Sequence, residues 1–93
     1  MTINDDCAAL MMALIYPVQF DKDPTDDAVI DRVIERVINI GTMDATPDEF
    51  LQNIRIALSS DEILSRLIPQ EHSEDVIRSY FAKLESRLAR VCK

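Results

Sequence analysis

His72 is the residue best suited to acid–base or metal chemistry, because it is the single histidine of the sequence. Glu71, Glu74 and Asp75 lie beside it, so a carboxylate–imidazole site is conceivable. The same residues are typical of a polar turn before a helix, and we favour that interpretation. The sequence holds no second histidine or closely spaced cysteine pair for zinc, and no glycine-rich phosphate loop. We therefore expect a protein that is not an enzyme and that uses no cofactor and no metal.

Charge is distributed unevenly along the 93 residues. Residues 1–62 contain 13 acids and four bases, a net charge of −9, whereas residues 63–93 contain four acids and six bases, a net charge of +2. The whole chain has a net charge of −7. Such a chain repels phosphates, so we expect no direct binding to nucleic acid and a basic protein as the partner.

A cluster of four aspartates lies within seven residues in the acidic half, and Lys22 is the one basic residue among them. The cluster lacks the glycine and the closing glutamate of a calcium-binding loop, so calcium is not expected. Its members are Asp21, Asp23, Asp26 and Asp27.

A row of acids continues from this cluster, because Asp27, Asp31 and Glu35 follow one another at intervals of four residues. That spacing places them along one side of a helix, where like charges cost about a few tenths of a kcal/mol each. The helix dipole favours acids at the start of a helix but does not explain Glu35. Two interpretations of the row stay open. It is either an ordinary solvated face, with Arg32 and Arg36 as neighbouring bases, or a surface that docks on lysine and arginine.

The docking interpretation predicts a contact surface made of one aromatic side chain and several acids. Acidic surfaces accelerate association with basic partners, and an aromatic residue supplies a buried anchor. The predicted contact residues are Tyr16, Asp23, Asp26, Asp27, Asp31 and Glu35.

The elements that must position these residues are predicted to be helices. Apolar residues recur at intervals of three and four almost throughout, and a single glycine is too few for a protein built from hairpins. The composition, 47% apolar and 29% charged, is that of a globular protein. We predict an all-α fold, a compact bundle of four or five helices that forms one domain over residues 1–93.

The first helix is predicted from Asn4 to Tyr16, ending before Pro17. Residues 7–15 are apolar on every side, which favours a central position in the core. A minority alternative is a homodimer interface in which Met11 and Met12 make adaptable contacts.

The second helix is predicted to be capped by Asp23 or Thr25, with Pro24 in its first turn, and to end at Ile40 and Gly41. Its β-branched residues make a strand the competing assignment, but the segment is long and does not alternate, which favours a helix.

Three further helices are predicted in the second half of the chain. Thr46-Pro47-Asp48-Glu49 is a capping box that starts the third helix, and Ser59 with Glu62 predicts another that starts a short fourth helix, ended by Pro69. Ser73 is expected to begin the last helix, where Arg87, Arg90 and Lys93 complement the dipole. The predicted core stripe of that helix is Ile77, Phe81, Leu84, Leu88 and Val91.

Cysteine content and hydropathy predict a cytoplasmic protein. Cys7 and Cys92 lie near opposite ends of the chain, which is typical of a reducing compartment rather than of a small secreted domain. The apolar run 7–15 is too short to span a bilayer and follows acids rather than bases, so neither a membrane segment nor a signal peptide is expected.

Two strings in the chain resemble segments of bacterial immunity proteins, which neutralise a cognate toxin. Leu14-Ile15-Tyr16-Pro17, followed by Asp26-Asp27 and Val29-Ile30, is similar to the Leu-Ile-Tyr-Tyr-Pro segment of colicin nuclease immunity proteins. Glu49-Phe50-Leu51-Gln52, after Thr46, resembles the start of the first helix of that family. The strings occur here in reverse order, with one tyrosine and without a Gly-Lys-Pro segment. The broader resemblance, in size, acidity and helical layout, is to immunity proteins of contact-dependent growth inhibition.

The resemblance implies an acidic bacterial protein that covers a nuclease-like toxin and thereby blocks its substrate. It also implies toxin contacts from the tyrosine and from the acidic helix. Two alternatives stay open from the residues themselves: a homodimeric helical adaptor, and an acidic mimic of nucleic acid that blocks many basic proteins. Monomer and homodimer are both compatible with the sequence.

Overall fold

Four α-helices joined by short helical turns make up the fold in the computed structural model, which describes residues 3–40 and 45–91. The helices are α1 (Asp5–Ile15), α2 (Asp27–Glu35), α3 (Pro47–Ser59) and α4 (Glu74–Val91). A 3₁₀ turn (Tyr16–Val18) extends α1, a π-helical turn (Arg36–Ile40) extends α2, and a 3₁₀ turn (Leu64–Arg66) lies between α3 and α4. These two ranges contain no β-strand, so the all-α prediction is confirmed and the strand alternative for α2 is wrong.

Side-chain caps begin the helices at or near the predicted positions. The Asn4 carboxamide oxygen accepts a hydrogen bond from the Cys7 amide at 2.7 Å, which starts α1. At α3 the predicted capping box is present: the Thr46 hydroxyl accepts from the Glu49 amide at 3.1 Å, and the Glu49 carboxylate accepts from the Thr46 amide at 3.3 Å. The Ser73 hydroxyl accepts from the Val76 amide at the start of α4.

The predicted start of α2 is wrong by a few residues, because Asp26 and not Asp23 or Thr25 is the cap. The Asp23 carboxylate instead accepts hydrogen bonds from the Thr25 amide at 3.0 Å and the Thr25 hydroxyl at 2.5 Å. These bonds close a local turn, because an aspartate side chain commonly accepts a hydrogen bond from the backbone two residues further along the chain. Pro24 is buried in that turn and lies outside the first turn of the helix. The predicted end at Gly41 lies outside the described residues.

The predicted fourth helix is reduced to the single 3₁₀ turn between α3 and α4, and its capping box does not form. Ser59 is the last residue of α3 and does not cap a following helix, and Ser60 is the C-cap of α3. The buried Ser60 hydroxyl donates to the Ala57 carbonyl at 2.6 Å. The Leu64 and Ser65 amides donate to the Glu74 carboxylate at 3.1 and 2.8 Å. In a longer helix such amides would donate to backbone carbonyls instead. This long-range contact holds the connection in an irregular form.

The core is built around α1, as its apolar run predicts. Cys7, Met11 and Ile15 are fully buried, and the Cys7 thiol donates to the Asn53 carbonyl of α3 at 3.4 Å. Burial raises the pKa of the Cys7 thiol, so it stays protonated at neutral pH. Cys92 lies outside the described residues. The homodimer alternative for α1 loses one of its contacts, since Met11 is inside the protein.

The stripe of α4 is confirmed in its first four members and wrong at Val91, which is 51% exposed. The stripe also omits Tyr80, a fully buried residue whose ring packs against Phe81 with centroids 5.5 Å apart. The Tyr80 hydroxyl donates to the Leu14 carbonyl at 2.6 Å, near the end of α1. Burial raises the pKa of the phenol, so the hydroxyl remains a donor throughout the physiological range.

We expect Tyr80→Phe to destabilise the protein by about 1–2 kcal/mol, because the buried carbonyl of Leu14 loses its side-chain donor. Urea denaturation followed by circular dichroism measures this change in the free energy of unfolding. Tyr16→Phe is the matched control, since the Tyr16 side chain is exposed. Equal stability of the two variants would contradict the role given to the Tyr80 hydrogen bond.

A second polar contact joins α3, its following loop and α4. The Arg78 guanidinium donates to the carbonyl oxygens of Leu58 and Ser60 at 3.2 Å and of Glu62 at 2.8 Å. It also pairs with the Glu74 carboxylate at 2.8 Å. Partial burial raises the pKa of Glu74, but hydrogen bonds from the Ser65 and Leu64 amides and from Arg78 outweigh it and lower the pKa overall.

We expect Glu74→Gln to destabilise the protein by about 1–2 kcal/mol at neutral pH, since bonds to a charged carboxylate become bonds to an amide. A lowered pKa in the folded state stabilises the protein above the ordinary glutamate pKa and stops doing so as pH falls through the folded-state value. The difference between wild type and Glu74→Gln should therefore shrink on acidification. Denaturation curves at several pH values measure it, with Glu35→Gln as the control, since Glu35 is an exposed acid. A pH-independent difference would contradict the role of the charge.

Candidate partner-binding surfaces

The six predicted contact residues do not form one unoccupied acidic surface. Four of the five acids have partners within the protein. Tyr16 is 67% exposed, and Glu35 is exposed without an ion pair among residues 3–40 and 45–91. The structure therefore separates an acidic side of α2 from an aromatic surface at the end of α1.

The acid row of α2 lies against a basic row of α4. The Asp27 carboxylate is 3.5 Å from the Lys83 ammonium and 3.4 Å from the Arg87 guanidinium, and Asp31 also pairs with Arg87. The Lys83 ammonium donates in addition to the Thr25 carbonyl at 2.7 Å. The position of Arg87 near the end of α4 is thus explained by these ion pairs as well as by the dipole of α4. These contacts supply a structural reason for the row, although both carboxylates keep most of their surface in solvent.

The acids of the connector between α1 and α2 also have local roles. The side-chain and backbone hydrogen bonds from Thr25 lower the pKa of Asp23. The Asp26 carboxylate caps α2 by accepting from the Ala28 amide at 2.9 Å. Asp21 pairs with Arg32 at 2.6 Å, so Arg32 neutralises the connector rather than the row on its own helix. Turn and cap roles thus account for Asp23 and Asp26, and ion pairs account for Asp21 and Asp27.

Phe20, which no sequence pattern singles out, is the most exposed large apolar residue of the described chain at 93%. It follows the 3₁₀ turn that carries Tyr16, so two aromatic side chains lie close in sequence on the outside of the protein. A run such as Tyr-Pro-Val-Gln-Phe gives no sequence signal that separates an exposed phenylalanine from a buried one. Large exposed apolar groups on a folded protein commonly mark interaction sites.

Both aromatic residues border an open groove of about 490 Å³ between the end of α1 and the end of α2. Among the described residues that line it, Arg36 is the single charged one, and it has no ion pair within the two described ranges. At 3.6 residues per turn, Arg36 lies about 140° around the helix from Asp31, so the groove and the acid row face different ways. The lining residues are Ala13, Leu14, Tyr16, Pro17, Gln19, Phe20, Val33, Arg36 and Val37.

His72 lies in a polar hollow on the other side of Phe20, where Asp21, Lys22 and Glu71 also line the wall. Its Nε2 atom is 3.0 Å from the Val18 carbonyl oxygen. An oxygen acceptor at that distance requires a proton on Nε2, so the ring ties the loop before α4 to the turn after α1. This long-range contact is a structural role for His72 that the interpretation as a polar turn before the last helix does not include.

A second acidic region, which the sequence analysis did not single out, lies at the starts of α1 and α3. Asp5 and Asp6 are in the first turn of α1, and Asp48 and Glu49 are in the first turn of α3. Asp6 and Glu49 line a shared hollow of about 390 Å³. None of the four carboxylates has an ion pair within the described ranges. The helix dipoles stabilise these acids, and their charge remains available to a partner at long range.

The described residues contain no group of three or more histidine, cysteine, aspartate or glutamate side chains placed to hold a metal ion. In the same two ranges, no helix combines the length and the apolar character that crossing a bilayer takes.

We expect the Asp31–Arg87 pair to contribute about 0.2–1 kcal/mol, because both side chains are partly exposed. A double-mutant cycle with Asp31→Asn and Arg87→Gln, followed by urea denaturation at low and high salt, measures the coupling. It should weaken as salt screens the charges. Glu35→Gln is the control, since it removes an acid of the same row that has no such partner, and it should leave stability nearly unchanged. A coupling of zero at low salt would contradict the ion-pair explanation.

Comparison with known proteins adds no relative from which a role could be transferred. No family model, curated protein or solved structure matches the chain. The functional interpretation therefore depends on the two exposed surfaces and on the charge of the molecule.

Proposed function

We propose that this chain is a bacterial immunity protein, which binds and neutralises a cognate toxin in the cytoplasm without catalysing a reaction. The observation that carries the proposal is the exposure of Phe20 and Tyr16 beside an apolar groove. Aromatic residues that fill pockets in a partner contribute a large share of the binding energy of protein interfaces. The toxin would be covered at or beside its active site, so that its nucleic-acid substrate is kept out.

The charge of the chain supports a basic partner such as a nuclease. The net charge is −7, and four carboxylates at the starts of α1 and α3 lack ion pairs within the described residues. Glu35 adds another exposed acid at the end of α2. Acids of this kind accelerate association through long-range attraction, whereas close contacts determine how slowly the complex dissociates. The aromatic residues and the acids therefore have separate roles in the proposal.

The row on α2 takes a smaller part than the sequence suggests. Lys83 and Arg87 offset the charge of Asp27 and Asp31. Reversing the charge of these aspartates would therefore also disturb the packing of α2 against α4. Asp23 and Asp26 likewise have turn and cap roles. We retain these residues as contributors to the surface potential, with Tyr16 as a contact residue and Phe20 added to the predicted set.

The two alternative functions make different demands on the surface. A homodimeric adaptor built on α1 would need an exposed apolar face there, yet Met11 and its buried neighbours already pack in the core. A general mimic of nucleic acid would need a dense row of unpaired acids, and the row on α2 is partly neutralised. Neither alternative uses the exposed Phe20.

The proposal predicts one basic partner, captured by the tagged protein from the lysate of its source organism and then purified for calorimetry. Phe20→Ala should weaken binding by about 30-fold or more, as loss of an aromatic anchor does. Ile63→Ala is the matched control, because Ile63 is also an exposed apolar residue but does not line the groove.

A second pair of variants tests the role of charge in the same complex. Asp5→Lys combined with Asp48→Lys should lower the association rate at low salt and leave the dissociation rate nearly unchanged. Stopped-flow mixing measures both rates. Binding that is insensitive to Phe20→Ala, or capture of many basic proteins that are all lost at moderate salt, would contradict the proposed function.

A further inference from the structure

We propose that His72 is a positioning residue for the aromatic surface of Tyr16 and Phe20, because its ring holds the tight turn that displays Phe20 and so orders this side chain before a partner binds. The order of the turn is a property of the free protein, whereas its effect on binding rests on the proposed function. In this role His72 acts through the backbone of the turn and not through contact with a partner.

Phe20 is one of the two central residues of a tight turn formed by residues 18–21. The Asp21 amide closes this turn by donating to the Val18 carbonyl at 3.1 Å. Val18 is fully buried, whereas the Phe20 side chain is 93% exposed. A ring so exposed has little packing around it, so the backbone of the turn determines the direction in which it leaves the protein.

The Val18 carbonyl that closes the turn also lies against His72. The Nε2 atom of His72 is 3.0 Å from this oxygen, which therefore accepts one bond from the turn and one from the loop before α4. A carbonyl oxygen has two lone pairs and satisfies both donors. Rotation of the carbonyl as the turn opens would break both bonds. The contact thus couples the conformation of the turn to the position of His72.

His72 is itself held by a series of hydrogen bonds that begins at α4. The Gln70 carboxamide accepts from the His72 amide at 2.5 Å and donates to the Ser65 carbonyl at 2.8 Å. The Ser65 amide in turn donates to the Glu74 carboxylate, at the start of α4, at 2.8 Å. The support of the turn therefore originates in a helix packed in the core and not in the loop alone.

The other end of the turn is supported from α2, where the Asp21 carboxylate pairs with Arg32 at 2.6 Å. Phe20 thus projects between a support at Val18 and a support at Asp21. The Arg32 side chain is 52% exposed, and ion pairs of that kind contribute little. The partly buried contact of His72 is therefore the stronger of the two supports.

An ordered turn favours binding because a partner that takes up Phe20 needs the ring in one orientation. If the turn samples several conformations, the apparent affinity falls in proportion to the fraction of molecules in the competent one. The contact between His72 and Val18 keeps that fraction high in the free protein. Phe20 and His72 also line the same polar hollow, so the support lies beside the side chain that it orders.

Amide hydrogen exchange of the full chain, measured by NMR without a partner, tests the inference with two variants that differ by one methylene group. The carboxamide nitrogen of glutamine reaches the position of Nε2 in histidine, whereas that of asparagine corresponds to Nδ1. His72→Asn should accelerate exchange of the Asp21 amide by about five- to tenfold, because the turn loses a support. His72→Gln should keep this exchange within about twofold of wild type.

A second variant, Gln70→Ala, leaves the ring in place and removes the bonds that hold it. It should also accelerate exchange at Asp21, by a smaller factor than His72→Asn. The Ile54 amide, in the middle of α3, is the internal reference, and its unchanged exchange shows that global stability is preserved. Equal exchange at Asp21 in wild type, His72→Asn and Gln70→Ala would overturn the inference, and so would an acceleration that His72→Gln fails to reverse.

Calorimetry with the purified partner extends the test to binding. His72→Asn should weaken the complex by about five- to tenfold, and His72→Gln should restore it. Faster exchange at Asp21 with unchanged affinity would overturn the positioning role in binding. Failure to capture any partner would contradict the proposed function instead, and exchange in the free chain would still decide whether His72 orders the turn.

Discussion

The hydrogen bond from Tyr80 to the Leu14 carbonyl ties α4 to the end of α1, and the candidate binding surface lies at that end. An apolar helix at the centre of a small bundle must leave the core at one end, and there its last carbonyls need donors. Tyr80 supplies one donor from α4 and so anchors the end of α1. The chain continues through the 3₁₀ turn, in which Val18 is buried while Tyr16, and Phe20 after the turn, are exposed. Burial of α1 and exposure of the aromatic residues are thus two results of one packing arrangement.

Electrostatics divides the protein into regions that serve structure and regions that remain available. Where α2 faces α4, acids and bases are paired across the helices, and the pairs help to set how the two pack. At the starts of α1 and α3, acids stabilise helix dipoles and keep their charge exposed. The groove has neither kind of acid in its described lining. A basic partner would be attracted by the exposed acids and held by the aromatic residues, which is a common division of roles in protein interfaces.

The sequence predicts the helices well because apolar periodicity and the Thr46–Glu49 capping box are local signals. It misplaces the start of α2, since Asp23, Thr25 and Asp26 all suit a cap and only the folded turn selects one. It overestimates the fourth helix because the Glu74 carboxylate, ten residues from Leu64 and nine from Ser65, accepts hydrogen bonds from both amides. Pairing of Asp31 with Arg87 and exposure of Phe20 depend on how helices pack together, which residue spacing does not encode. Tyr16 is predicted through its motif, whereas Phe20 lies in the predicted connector, where no sequence signal separates an exposed ring from a buried one.

The central claim is that this chain binds other proteins through the surface that Tyr16 and Phe20 form beside the groove. The most direct measurement is amide hydrogen exchange of the protein alone and in complex with its purified partner. The account predicts added protection at residues 16–20 and 33–37, which border the groove from its two sides. Protection confined to the paired faces of α2 and α4, with residues 16–20 unchanged, would contradict it.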